Sequence, residues 1–119
     1  LWLGFYEGGF ARFDGEKFEV LSNRENFPAR GVISDLLIDS KNRLWISSSN
    51  TGLFRIDETN AKNPAYISIT TENGLSSNNI RTLTEDNFGR IYAGTASGID
   101  RISPDTGSIK HYSVNDGLA

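Results

Sequence analysis

The sequence predicts an all-β chain built from tandem four-stranded antiparallel units. Three observations carry that expectation: a repeated aromatic strand, a Gly and an Arg that return with it, and short apolar runs joined throughout by polar turns. Leu1-Trp2-Leu3-Gly4 recurs as Leu44-Trp45-Ile46-Ser47 and again as Ile91-Tyr92-Ala93-Gly94, at spacings of 43 and 47 residues. Self-similarity at about 45 residues, with four short strands per period, is the signature of a β-propeller blade. A sandwich or a simple barrel has no reason to repeat sequence at that interval.

The second strand of each unit lies in Gly9-Phe10-Ala11-Arg12-Phe13-Asp14, Gly52-Leu53-Phe54-Arg55-Ile56-Asp57 and Gly98-Ile99-Asp100-Arg101-Ile102-Ser103, where Gly and Arg keep their places. A third element alternates as Phe18 to Leu21, Ile67 to Thr70 and Ile109 to Tyr112. The fourth occurs twice, as Ile33 to Arg43 and Ile80 to Arg90, each running straight into the next aromatic strand. All are rich in Ile, Leu, Val and aromatics, a strand composition. The joints carry turn residues: Asp14-Gly15 reads as a hairpin pair, Asp105-Thr106-Gly107 as a longer loop, and Asp86-Asn87-Phe88-Gly89 places Gly where φ turns positive.

These runs divide the chain into an incomplete blade over residues 1–31 and blades over 32–78 and 79–119, a partial propeller of roughly two and three-quarter blades in one domain. Closure takes about four blades or more. The chain is therefore expected to belong to a longer protein or to associate, with an unpaired strand edge in its first blade. Trp2, Trp45 and Tyr92 are expected between neighbouring blades, where both faces of a sheet are covered.

Composition narrows the function. Net charge is −3 with a pI near 5.1, and the densest basic group is Lys41 with Arg43. A surface made to neutralise nucleic-acid phosphates or an anionic membrane needs clustered Lys and Arg, so neither partner is expected. There is no Cys, hence no disulfide framework and no thiolate zinc site. No apolar run approaches the ~18 residues of a membrane span, so no direct membrane contact by this segment is expected.

The residues suited to catalysis are few. His111 is alone in the chain and falls in an outermost strand, so it reads as structural. Asp14, Asp39, Asp57, Asp86 and Asp105 sit at turns and read as turn caps. Arg12, Arg55 and Arg101 recur and read as bridges between strands or blades, the alternative being an arginine ring offered to an anionic ligand. Asp57-Glu58-Thr59-Asn60 groups oxygen ligands without the Gly and distant Glu of an EF-hand, so neither a metal nor any other cofactor is expected.

Taken together, these motifs resemble the two-component regulator propeller repeats of bacterial sensor proteins. The resemblance rests on Glu85-Asp86-Asn87-Phe88-Gly89-Arg90, on the following strand from Ile91 to Thr95, on the Gly-hydrophobic-x-Arg segments, and on the long loop Thr71-Glu72-Asn73-Gly74-Leu75-Ser76-Ser77-Asn78, with another beginning at Asn115. Ser47 and Phe27-Pro28-Ala29-Arg30 depart from the pattern. The resemblance implies a non-catalytic sensory module in the periplasmic part of an inner-membrane histidine kinase or hybrid regulator. It implies, as partners, the rest of the propeller and downstream signalling domains, self-association of the full-length protein, and an oligo- or polysaccharide ligand. A propeller lyase or hydrolase, and a protein-interaction platform, are the rival readings.

Scaffolds hold strands constant and vary their connections, so ligand contacts are expected in the loops that differ between repeats. On one face these offer Tyr6 and Phe27 to stack on sugar rings, and Glu7, Arg24, Arg30, Asn50, Asn78 and Asn79 to bind hydroxyls or carboxylates.

Overall fold

A computed structural model describes residues 1–4, 10–13, 15–21, 33–62 and 64–113. They form three antiparallel sheets in chain order. The first holds β1 (Trp2–Gly4), β2 (Phe10–Phe13) and β3 (Phe18–Val20). The second holds β4 (Ile33–Ile38), β5 (Leu44–Ser48), β6 (Leu53–Ile56) and β7 (Ile67–Ile69). The third holds β8 (Ile80–Glu85), β9 (Ile91–Thr95), β10 (Gly98–Ile102) and β11 (Ile109–Tyr112). Each sheet is a simple meander, so each is one blade, and β1 to β3 match the last three strands of the other two. Among the described residues the only helical piece is a single 3-10 turn, Thr71–Asn73, capped by the Thr70 side chain and closed by Gly74 at φ 111°.

Packing follows the alternation along the second and third strands of the middle blade. Leu44, Ile46, Phe54 and Ile56 face the first blade and join Phe10, Leu21 and Ile33 in one buried cluster, against which Trp2 packs. Trp45 and Leu53 face the third blade and join Ile80, Leu83, Ile91, Ala93 and Ile102 in a second. Trp45 is fully buried, as expected of an aromatic wedged between blades.

The repeated Gly has a backbone reason. Gly52 stands at φ 94°, and a Cβ there would lie 2.8 Å from the Ile69 carbonyl oxygen, so a side chain is excluded on both counts. The repeated Arg lies opposite the repeated aromatic, in the pairs Trp2 with Arg12, Trp45 with Arg55 and Tyr92 with Arg101. Its guanidinium rests over the indole at 5.8 Å in the first blade and 5.5 Å in the second. Arg12 also bridges blades through Thr59 and Ala61, whereas Arg101 lies over Tyr112 of its own sheet.

The innermost strands β4 and β8 each bulge at the same place, beside Asp35 and Thr82. The bulge aims Asp35 sideways, where its Oδ2 accepts from the Leu83 backbone N–H at 2.8 Å. That bond ties neighbouring blades at their inner edge.

Candidate functional site

The turns at one end of the blades converge. The β5–β6 turn closes by a bond from Ser48 N–H to the Gly52 carbonyl, and Gly52 N–H then donates to the Asn78 carbonyl at 3.0 Å. In the next blade Ala96 N–H donates to the Asn79 carbonyl at 3.1 Å. The segment linking β7 to β8 is thereby clamped between two hairpin turns. Segments 48–52, 76–79 and 95–98 share one surface, and every residue in them is uncharged: serines, threonines, asparagines, glycines and one alanine. Such a rim presents hydroxyl and amide groups that both donate and accept.

Of the residues expected to bind a ligand, Asn50 lies exposed at the tip of the β5–β6 turn. Asn78 is half-buried, and its Oδ1 accepts from Thr71 N–H at 2.9 Å and so fixes the start of the 3-10 turn. Asn79 is half-buried, and its backbone N–H donates to Ser77 Oγ at 3.0 Å. Tyr6, Glu7, Arg24, Phe27 and Arg30 lie outside the described residues.

Beneath this surface is a group that the sequence did not single out. Asp100 is fully buried at the place that Ala11 and Phe54 take in the other repeats. Its Oδ2 accepts from Ser76 N–H at 2.8 Å and Ser76 Oγ at 3.0 Å, and its Oδ1 bonds His111 Nδ1 at 2.8 Å. One carboxylate thus joins the β7–β8 loop, β10 and the outer strand β11. A relay for nucleophilic catalysis needs the imidazole between hydroxyl and carboxylate. Here the carboxylate stands between Ser76 and His111, which serves anchoring. The replacement of an apolar residue in a repeated slot was the readable signal; the partner, 24 residues upstream in sequence, was not.

The opposite end carries a second repeated device. Asp39 Oδ1 accepts from the N–H groups of Lys41 and Arg43, both at 2.9 Å, and Oδ2 from Arg43 Nε at 2.6 Å and Trp45 Nε1 at 2.8 Å. Asp86 repeats the pattern with Phe88, Arg90 and the Tyr92 hydroxyl. These two are the turn caps expected of them. Asp57 and Asp105 are not: Asp57 pairs with Arg55 at 2.6 Å, and Asp105 reaches Lys41 of the preceding blade at 3.2 Å. Asp14 lies outside the described residues.

Both capping carboxyls are held below the ordinary 3.8. For Asp86, desolvation opposes the charge, but the N–H groups of Arg90 and Phe88, the Arg90 guanidinium and the Tyr92 hydroxyl outweigh it and hold the group at about 2. For Asp39, desolvation is outweighed by Trp45 and Arg43. A carboxyl with a lowered folded pKa adds stability above its unfolded value, and that stability is lost as pH falls toward the folded value. The urea midpoint is therefore expected to drop between about pH 4 and about pH 2, and to drop less in Asp86→Asn. An unaltered slope in that variant would refute the assignment.

Residues 26–50 and 74–97 match the family model described as the two component regulator propeller. No curated protein matches the chain. Among solved structures it is similar to the extracellular domain of BT3049 of B. thetaiotaomicron, described as a hybrid two component system, with a TM-score of 0.83 and 22% identity over 98% of this chain and 16% of that one. It is also similar to the extracellular domain of BT4673 of the same organism, described as a one component system, with a TM-score of 0.78 and 22% identity over 99% of this chain and 17% of that one. The chain thus spans about one sixth of either structure. Among the described residues no helix is long and apolar enough to cross a membrane.

Proposed function

We propose that the chain is part of a non-catalytic sensory propeller, lying in the periplasm in a two-component signalling protein with further blades and downstream signalling domains, and that it binds a neutral oligosaccharide on the surface of segments 48–52, 76–79 and 95–98. The observation that supports this reading best is the match of two successive blade junctions to the two component regulator propeller. The fold shared with extracellular sensor domains agrees with it. The ligand class follows from chemistry. An uncharged rim of hydroxyls and amides matches a polyhydroxylated ligand, which exchanges hydrogen bonds with water for hydrogen bonds with protein and brings no charge to be balanced. Tyr6 and Phe27 supply rings for stacking, and Arg24 and Arg30 flank Phe27 in sequence. Ligand binding shifts a signalling equilibrium only through different affinities for its two states.

A thermal-shift screen of neutral and acidic oligosaccharides on the full-length protein tests this reading. A neutral sugar at a hundredfold excess over its Kd is expected to add about 2.7 kcal/mol to stability, and Asn50→Ala together with Phe27→Ala to remove most of that gain. If no sugar raises the melting temperature, the glycan reading is wrong. If only acidic sugars do, the uncharged rim is not the contact surface.

A further inference from the structure

The repeated Arg meets a different residue across its own sheet in each blade. Arg12 lies opposite Glu19, Arg55 opposite Ile67 and Arg101 opposite Lys110. The first two are balanced inside their blades, Arg12 by Glu19 at 3.3 Å and Arg55 by Asp57 at 2.6 Å. In the third blade Ser103 stands at the place of Asp57, and Lys110 at the place of Glu19. Arg101 Nε is buried without a hydrogen-bond partner among the described residues. The Arg101 guanidinium lies 5.8 Å and the Lys110 ammonium 5.1 Å from the centre of the same Tyr112 ring, and among the described residues no carboxylate pairs with either. Asp86 of this blade is held by Arg90 and the Tyr92 hydroxyl. Like charges directly opposite one another weaken a sheet.

Both cations face away from the second blade. Ile91, Ala93 and Ile102 pack against it, so by alternation Tyr92, Arg101 and Lys110 take the other side of the sheet. That side meets the following blade at both interfaces within the chain. At each, the loop before the following blade's outer strand comes to a cation of the blade before it. Loop 57–66 gives Arg12 the carbonyls of Thr59 at 2.9 Å and Ala61 at 2.8 Å. Loop 103–108 gives Lys41 the carboxylate of Asp105 at 3.2 Å.

We propose that the blade following the third sets an aspartate or glutamate of this same loop against Arg101 and Lys110. The inference rests on the reading that further blades follow, and it adds the chemistry of the contact. Carbonyls suffice for Arg12 because Glu19 already balances its charge. Arg101 and Lys110 have no such balance, and covering two cations with a neutral surface would strip their water and leave the charge unmet. A carboxylate meets the charge and accepts from both donors in short, charge-assisted bonds.

Hydrogen exchange at β11 in the full-length protein, read by mass spectrometry, tests this by its sign. With a carboxylate opposite, Lys110→Gln should speed exchange about tenfold, the value of one charge-assisted hydrogen bond, and high salt should narrow the difference. Slower exchange in Lys110→Gln, as relief of a like-charge pair gives, or unchanged exchange overturns the proposal. Lys110→Glu should speed exchange further, and reversing the acidic residue of the following loop to Lys in the same protein should restore the parent rate. Failure of that reversal overturns the assignment to the loop. So does an Asp116→Asn variant that alone reproduces the effect of Lys110→Gln, since the carboxylate then belongs to this chain. Acetylation of Lys110 separates these outcomes from the wider reading. Labelling as fast as at exposed Lys41 means that no blade covers the face, and both readings fall. Slow labelling together with slower exchange in Lys110→Gln removes the carboxylate alone and leaves the further blade standing. No sugar enters these measurements, so the glycan screen has no bearing on them.

Discussion

Trp45→Ala is expected to lower unfolding stability by about 3–5 kcal/mol, as for other buried aromatic truncations that leave a cavity. The ring is fully buried and forms the second-blade side of the cluster with Ile80, Leu83, Ile91 and Ile102. Its loss also strips Asp39 of the Nε1 donor at 2.8 Å and Arg55 of the π-face 5.5 Å away. Trp45→Phe keeps most of the volume and forfeits mainly the hydrogen bond, so it should cost about 1–2 kcal/mol. Because stability in stacked repeats depends on interfaces between neighbours, Trp45→Ala should also let the third blade open before the second. Urea unfolding of the full-length protein reads the first effect, and hydrogen exchange at β8 to β10 reads the second. A loss of under about 1 kcal/mol would show that the wedge is dispensable.

Asp39→Ala is expected to cost about 3–5 kcal/mol, the range for breaking a buried charge pair by removing one partner. Four donors lose their acceptor together, and the Arg43 side chain that remains is only 14% exposed. Asp86→Ala removes the same set of bonds where Arg90 is 33% exposed, so water replaces more of what is lost and the cost should be clearly smaller. Asp39→Asn keeps the shape and two acceptor positions and should fall between the parent and Asp39→Ala. Equal losses for Asp39→Ala and Asp86→Ala in urea titrations would mean that the turn, rather than the buried cation, sets the cost.

The repeat made the strands legible. Trp2, Trp45 and Tyr92 return at one position, and a residue that returns in every blade answers to the blade's own packing. The same logic reached the capping role of Asp39 and Asp86, though not their bond to the aromatic six residues on, because periodicity gives position and says nothing of side-chain direction. It misread Asp57 and Asp105, whose turn-like neighbours hid cationic partners on β6 and on the preceding blade. Asn78 was expected to meet a ligand because it lies in a variable loop, and its amide also shapes that loop, a role that periodicity does not reveal. Asp100 broke the repeat in plain view, but its partner Ser76 comes from a different loop and only folding brings the two together.

Bonds between the second and third blades lie at well-separated points. Asp35 holds Leu83 at the innermost strands, Asp100 holds Ser76 beneath the turn surface, and Glu85 takes the Ser40 N–H at 3.0 Å at the far end. A greasy joint can slide, since dispersion contacts tolerate small displacements in any direction. Directional bonds at separated points cannot be satisfied after a shear or a rotation of even part of an ångström. Mechanically, these two blades form a single stiff plate. A load applied at one border of that plate is carried across it by bonds rather than by sliding surfaces, and at the joint beside the first blade Arg12 grips the carbonyls of Thr59 and Ala61 in the same manner.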